Sequence, residues 1–312
     1  MTHGVVVVDK PAGRTSHETV AAVRKILGIA RAGHAGTLDP LATGVLPVCL
    51  NEATKIVQFL SADWKEYRAT LLLGVETDTL DTDGKVTDCV EPRIDGGDVE
   101  RVLRGFVGKV VQTPPLISAV KVRGRPLYAW TRRGVRVDPE PRTVEIASLE
   151  IERIELPRVT FRVRCSKGTY IRVLCADAGR LLGCGGCLAM LRRTRCGNFD
   201  ESQSLSLQTV GAKFLQGAVN EVVISMADAL PDLARIRIPA EDGRKTREGR
   251  QPSAGMIRRY HLPFLAAGDV VMFIGTDNDV IAIGEMLVSS DQTLSMDENL
   301  QAVRILRVFH EN

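Results

Sequence analysis

The 312-residue sequence predicts an α+β protein with two domains. Before residue 228, short apolar and β-branched runs that predict strands alternate with segments that carry helix signals. After residue 236, strand-like runs follow one another with Gly and Asp-Asn turns between them, which is typical of a small β-barrel. Pro231 interrupts the stretch between these parts. We therefore expect a first domain over residues 1–230 and a second over 233–312.

The predicted strands are apolar runs bounded by turn residues, at 5–8, 45–50, 67–73, 144–154, 159–165 and 188–199 in the first domain and 270–274, 280–283 and 303–308 in the tail. Thr15 and Glu18 form a capping box that predicts the start of a helix, and Gly28 is its stop signal. Asn51 is expected to cap a helix that runs to residue 60. Further helices are expected over about 98–106 and from about 172 to 183.

Composition favours an ordinary globular protein, since the net charge is only +3 and no apolar run is long enough for a signal peptide or a membrane span. A cytoplasmic location with reduced thiols is the default expectation for its seven cysteines. Cys184 and Cys187 form a CxxC pattern without a second pair at zinc-site spacing. We therefore predict a Gly-rich turn with small buried side chains there, and neither a metal nor an organic cofactor.

The stretch GHAGTLDPLATGVL holds one carboxylate, Asp39, among glycines, which make the backbone flexible, and a proline, which makes it rigid. Gly33, Gly36 and Gly44 permit conformations that other residues disfavour, and Pro40 pushes Asp39 toward an extended conformation. Apolar runs on both sides anchor the loop in a core. A rigidly held carboxylate suits catalysis, although Asp-Pro in such a segment is also a common turn.

An acidic stretch follows the strand at 67–73, and its DTDG sequence at Asp81 invites a calcium-loop interpretation. The EF-hand pattern fails because Thr79 and Val90 occupy positions that need acids. We therefore predict a solvated loop.

The segment 121–142 has the sharpest local charge bias, with seven basic residues against two acids and with Tyr128 and Trp130 interleaved. Basic and aromatic side chains on an irregular segment suit phosphate contact and base stacking. A solvated basic loop with both aromatics docked in the core is the alternative. The arginines of this segment that precede Pro141 are Arg123, Arg125, Arg132, Arg133 and Arg136.

Four blocks of the sequence, in order, resemble the TruB family of tRNA pseudouridine synthases. They are GHAGTLDPLATGVLPV, the strand YRATLLL, the segment that begins TPPLISAVK, and SKGTYIR with the later LRRTR. Ile117 stands where the family usually has Tyr, and Ala178 where it often has Leu. The resemblance implies a pseudouridine synthase fold, with a mixed, largely antiparallel central sheet flanked by helices, an RNA-binding insertion at about 113–142, and a PUA-like RNA-binding tail.

The resemblance also implies roles for three residues in isomerising the uridine of the tRNA TΨC loop, position 55, to pseudouridine. Asp39 matches the catalytic nucleophile, Tyr67 matches the tyrosine that stacks on the target base, and Arg172 matches the arginine that pairs with the catalytic carboxylate. Without the resemblance, Tyr67 would be interpreted as a core residue and Arg172 as a charge on a helix surface. The target base must leave its stack to be reached.

Further residues are expected to contact substrate or RNA. Lys10 matches a supporting lysine near the active site, His34 a histidine that packs against the loop RNA, and Tyr170 and Leu191 would line the pocket. In the insertion, the expected contacts are Lys121, Arg123, Arg125, Arg132 and Arg133.

The expected partner is the T arm of tRNA, with no obligatory protein partner and a monomeric state. Two alternatives are an RNA-guided synthase of the box H/ACA type, which shares the catalytic Asp and the tail domain, and a tRNA-binding or folding chaperone in which catalysis is incidental. The LATGVLPV continuation and the short N-terminus favour the stand-alone type.

Overall fold

A computed structural model describes residues 2–60, 64–135, 137–260 and 262–310. Arg136 of the basic segment lies outside the described residues. The strands, in chain order, are β1 (Gly4–Lys10), β2 (Ala32–His34), β3 (Thr43–Leu50), β4 (Lys65–Leu73), β5 (Val75–Thr77), β6 (Val86–Cys89), β7 (Gly108–Gln112), β8 (Lys121–Val122), β9 (Arg125–Pro126), β10 (Arg142–Glu155), β11 (Arg158–Cys165), β12 (Gly186–Cys196), β13 (Phe199–Asp200), β14 (Ala234–Arg237), β15 (Val270–Ile274), β16 (Val280–Met286) and β17 (Val303–Val308).

The central sheet follows the order β1-β3-β12-β4-β11-β10-β7, with β2 paired to β3 and β13 paired to β12. Its neighbours are antiparallel except for β3 and β12, which run parallel and meet at Thr43–Arg192 and Gly44–Arg193. The predicted mixed, largely antiparallel sheet is confirmed. The parallel contact joins the strand that follows the Asp39 loop to a strand near the middle of the sheet.

The α-helices, in chain order, are α1 (Ser16–Leu27), α2 (Val57–Leu60), α3 (Gly96–Arg104), α4 (Leu127–Thr131), α5 (Ile171–Leu181), α6 (Leu207–Leu215), α7 (Met226–Ala229), α8 (Ala240–Arg247) and α9 (Ala254–Arg258). The capping box at the start of α1 is formed as predicted, and Gly28 ends the helix with φ +61°. The prediction for Asn51 is wrong. A 3₁₀ helix over Asn51–Ile56 precedes α2, and the Asn51 side chain donates to the Thr2 carbonyl instead of capping.

The central sheet is buried on both faces near β1, as its alternating side chains show. Val6 and Val8 belong to a core that includes apolar residues of α1, α3 and α5. Val5 and Val7 belong to a second core, which includes Met272 of β15 and other tail residues. Side chains of the tail therefore share a core with the sheet. The division into domains over 1–230 and 233–312 remains a prediction.

The tail contains the three strands expected from its sequence, preceded by β14. They form a sheet in the order β14-β15-β16-β17, in which β14 and β15 are parallel and the remaining pairs are antiparallel. No pairing of β14 with β17 closes a barrel within the described part of the tail, so the sheet is open. Ile236, Ile257, Phe273 and Ile281 help form a core of its own.

Among the helices in the described ranges, none has both the length and the apolar character that a membrane span requires.

Candidate functional site

The loop that carries Asp39 connects β2 to β3 and is held at several points. The Ser16 hydroxyl, at the start of α1, donates to the Leu38 carbonyl at 3.0 Å and accepts from the Leu38 amide at 2.8 Å. Gly44 follows the loop with φ +98°, and a Cβ there would lie 2.3 Å from the Arg193 carbonyl oxygen. Only glycine fits such an approach. The loop therefore presents Asp39 from a fixed backbone, with one third of its side chain exposed.

Arg172, the second residue of α5, contacts Asp39 from below the surface. Its Nε lies 2.9 Å from Asp39 Oδ2, although that N–H is not directed at an acceptor, and its Nη2 donates to Oδ1 at 3.3 Å. Nη1 also donates to the Thr79 carbonyl at 2.8 Å, and Nη2 to the Ile117 carbonyl at 3.0 Å. The side chain is only 4 % exposed. Arg172 therefore joins the Asp39 loop to two other segments.

Asp81 is an exception to the predicted solvated loop, in which Glu76, Asp78, Asp83 and Asp88 are exposed. It is 6 % exposed, and its Oδ2 lies 3.6 Å from Arg172 Nη1. Its Oδ1 accepts from the Thr79 hydroxyl at 2.6 Å and from the Asp83 amide at 3.2 Å. Burial raises the pKa of the Asp81 carboxyl, while the hydroxyl of Thr79 and the charge of Arg172 lower it. The chain therefore turns inward at Asp81, where the carboxyl lies beside a cation and two local donors that offset part of the cost of its burial.

A pocket of about 330 Å³ opens beside the Asp39–Arg172 pair. The structure brings five of the predicted residues together as its lining, namely Asp39, Tyr67, Tyr170, Arg172 and Leu191. Burial raises the pKa of the Tyr67 phenol, so this side chain is an O–H donor at neutral pH. The pocket therefore offers a carboxylate at one side and an aromatic and aliphatic wall at the other.

Two buried cations in the pocket, Arg193 and Lys65, were missed by sequence reasoning. Arg193 donates from Nε to the Val45 carbonyl at 2.7 Å and from Nη2 to the Gly36 carbonyl at 3.1 Å. It lies opposite Tyr67 in the register of β12 and β4. The strand period could have found it, because Arg193 is two residues from Leu191 and so shares its face.

Lys10 and His34 are not among the described residues that line the pocket. The Lys10 ammonium is buried and donates to the carbonyls of Pro11, Arg14 and Pro40 at 2.9, 2.5 and 3.2 Å. Burial lowers the pKa of Lys10 to about 8. Through its bond to the Pro40 carbonyl, Lys10 therefore supports the catalytic loop at the residue that follows Asp39.

His34 ends β2 with its ring centroid 5.3 Å from that of His17, edge to face. Burial lowers the pKa of His34 to about 4, so the ring is neutral at neutral pH. A neutral ring beside an exposed second ring suits stacking better than charge pairing.

Five basic side chains of the insertion, Lys121, Arg123, Arg125, Arg132 and Arg133, are exposed and lie outside the pocket lining. Arg125 lies 5.7 Å from the centroid of Trp130, and Arg132 lies 5.5 Å from that of Tyr128. The alternative with both aromatics in the core is wrong, because Tyr128 is 40 % exposed. Lys121, Arg123 and Arg133 complete the exposed basic set.

The CxxC cysteines are buried free thiols, as the Gly-rich turn interpretation predicted. Within the described ranges, no group of three or more His, Cys, Asp or Glu side chains could hold a metal ion.

Two family models match successive parts of the chain. One, described as TruB family pseudouridylate synthase (N terminal domain), matches residues 24–171. The other, described as tRNA pseudouridylate synthase B C-terminal domain, matches residues 172–231.

Curated relatives and solved structures agree with these models. A protein named tRNA pseudouridine synthase B from Syntrophus aciditrophicus (strain SB) is 51% identical over 308 residues, covering 99% of each chain. Its namesake from Geobacter sulfurreducens is 39% identical over 308 residues, covering 98% of this chain and 99% of the other. A chain of a crystal structure of a Cbf5-Nop10-Gar1 complex is similar with a TM-score of 0.75 and 30% identity, over 98% of this chain and 85% of that one. A chain of an H/ACA RNP bound to a substrate RNA containing 2′-deoxyuridine is similar with a TM-score of 0.74 and 28% identity, over 99% of this chain and 85% of that one. With matches of this length and identity, the chain belongs to the TruB family of pseudouridylate synthases.

Proposed function

We propose that this chain isomerises uridine to pseudouridine at position 55, in the TΨC loop of tRNA, with Asp39 as the nucleophile on a flipped-out base. The observation that carries this proposal is the ion pair between Asp39 and Arg172 at the wall of the pocket. An almost fully buried guanidinium orients a carboxylate that remains one third exposed, which is the arrangement an aimed nucleophile needs.

The reaction balances without a cofactor. The N1–C1′ bond breaks, the base rotates, and a C5–C1′ bond forms, while C5 loses its proton and N1 gains one. Three first steps are open to a carboxylate in this position: attack on C1′, addition to C6, or removal of the proton from C2′. Asp39 is the one carboxylate among the described lining residues, so each route would use it.

The remaining lining residues would hold the base. Tyr67 would stack on the uracil ring, and Leu191 and Tyr170 would pack around it. Because the Tyr67 phenol is protonated at neutral pH, we assign it stacking and hydrogen-bond donation, not proton removal.

Binding of the T arm would involve surfaces outside the pocket. His34 would pack against the loop after the base has flipped, with Lys10 supporting the catalytic loop from behind. The exposed basic residues of the insertion would contact phosphates, and the tail would serve as a PUA-like RNA-binding domain. We propose that the chain works in the cytoplasm as a monomer without an obligatory protein partner.

An RNA-guided function is the second candidate, because chains of H/ACA and Cbf5 complexes share the fold. The higher identity to stand-alone proteins named tRNA pseudouridine synthase B favours direct action on tRNA. Isomerisation of tRNA by the purified chain with no added RNA or protein would decide for the first candidate.

The test maps pseudouridine by carbodiimide-dependent reverse-transcription stops in tRNA treated with wild type and with Asp39→Asn. Wild type should produce one stop in the TΨC loop, whereas Asp39→Asn should produce none while retaining tRNA affinity. Retained affinity matters, because it separates catalysis from a chaperone function. An Asp39→Asn protein that modifies tRNA at a rate near that of wild type would falsify the assignment of Asp39.

A further inference from the structure

The pocket carries an excess of positive charge. Its described lining contains one carboxylate, Asp39, and five cations, Lys65, Arg142, Lys167, Arg172 and Arg193. Arg172 is paired with Asp39, and Arg193 donates to two backbone carbonyls. Arg142 and Lys167 differ, since neither side chain makes a hydrogen bond or an ion pair with any described residue. Two cations are therefore available to a ligand at one side of the pocket.

The Arg142 guanidinium is held in place by packing. It lies 4.9 Å from the centroid of the Tyr170 ring, and its Cζ would be 3.4 Å from a Cβ on Gly168. The Gln112 amide fixes the backbone of Tyr170, accepting from its N–H at 3.0 Å and donating to its carbonyl at 3.2 Å. A guanidinium stacked on a ring keeps its edge donors free, and Nε here is buried without an acceptor.

This cation stands where the insertion leaves the sheet. Gln112 ends β7 and Arg142 begins β10, and the two are register partners. The insertion between them returns to the pocket, because Ser118, Ala119 and Val120 form part of its lining. RNA that reaches from the pocket to the basic side chains of the insertion would pass Arg142.

We infer that Arg142 and Lys167 bind a phosphodiester flanking the flipped-out nucleotide, an inference that rests on the proposed function. A nucleotide that enters the pocket base first keeps its phosphates at the mouth. Phosphate oxygens match the planar donors of a guanidinium, and a lysine adds a point charge. This contact positions the nucleotide over Asp39 and does not choose the base.

The first experiment measures binding of a T-arm hairpin RNA to full-length protein in the Asp39→Asn background, which needs no turnover. Arg142→Gln should raise Kd about tenfold and reduce the salt dependence by about one unit of log–log slope. Arg142→Lys should keep the wild-type slope, because the charge remains. The matched control is Arg158→Gln, which should change neither quantity. Arg158 is exposed and begins β11, next to the end of β10 that is far from Arg142.

The second experiment replaces each phosphodiester that flanks the target uridine, in turn, with a neutral methylphosphonate. At one position, the protein with Arg142 should lose about tenfold in affinity, and Arg142→Gln should lose nothing further. The inference is overturned if, at both flanking phosphodiesters, the losses of affinity from Arg142→Gln and from the methylphosphonate multiply. An unchanged Kd for Arg142→Gln would also overturn it. If Arg142→Gln does not fold, as checked by thermal unfolding, the comparison uses Arg142→Lys. Absence of any methylphosphonate effect on either protein then overturns it.

Failure of this inference and failure of the proposed function give different results. Wild-type protein that forms no pseudouridine in tRNA contradicts the proposed function, whatever the binding data show. Wild-type protein that forms pseudouridine, together with an Arg142→Gln variant of unchanged Kd and salt slope, contradicts only the phosphate site.

Discussion

Replacing Arg172 with lysine tests the central ion pair. The guanidinium contacts Asp39 and donates to the carbonyls of Thr79 and Ile117, whereas one ammonium can serve only part of this set. A buried carbonyl left without a donor costs about 1–3 kcal/mol, so losing one or two should lower the free energy of unfolding by about 1–6 kcal/mol. A lost preorganised donor costs about 2.7–4 kcal/mol in the transition state, which corresponds to a rate about 10²–10³-fold lower.

The assay follows tritium release from tRNA labelled at C5 of uridine, because that hydrogen leaves when the C5–C1′ bond forms. Single-turnover rates at saturating enzyme separate the chemical step from binding. Arg180→Lys is the control, since Arg180 lies on the same helix, is exposed and pairs with Asp177. The reasoning is refuted if Arg172→Lys reacts within about threefold of wild type, because such a rate would mean that guanidinium geometry does not aim Asp39.

Three further predictions follow from the structure. Burial raises the pKa of the Asp81 carboxyl above its unfolded value, so its contribution to stability is complete below the unfolded pKa and is lost as pH rises through the folded pKa. In urea unfolding, Asp81→Asn should abolish this fall in the free energy of unfolding above about pH 4, and equal pH profiles for wild type and variant would contradict this. The variant should also slow isomerisation about tenfold, because Arg172 loses a carboxylate partner. Neutralising Arg132 and Arg133 together should raise KM and make its salt dependence shallower by about one unit of slope per lost phosphate contact, without changing which uridine reacts, as titration across salt concentrations would show. Removing the chain from Leu233 onward should weaken tRNA binding more than it slows the bound reaction, and it should also lower Tm, because tail side chains share a core with β1; a truncated protein with wild-type Tm and affinity would rule this out.

Local sequence determined the elements whose interactions span only a few residues. The start and end of α1 follow from a side-chain cap at Thr15 and a left-handed Gly28, and both can be identified without knowledge of the fold. The Asp39 loop is similar, since its glycines permit left-handed backbone and Pro40 fixes its own φ wherever the loop lies. The resemblance to a family predicted that Tyr67 and Arg172 share one active site, whereas their spacing in the sequence does not predict this.

Tertiary structure decided the residues whose surroundings come from distant parts of the chain. Asp81 is buried beside Arg172, a cation far along the sequence, and a local pattern of acids carries no sign of that partner. The surroundings of Arg142 come from the pairing of β7 and β10, which places Gln112 opposite it, and from Tyr170, whose backbone Gln112 holds. The open sheet of the tail, and the core that its side chains share with Val5 and Val7, likewise depend on contacts between distant parts of the chain. Hydrophobic alternation marks which face of a strand is buried, but it does not name the element that buries it.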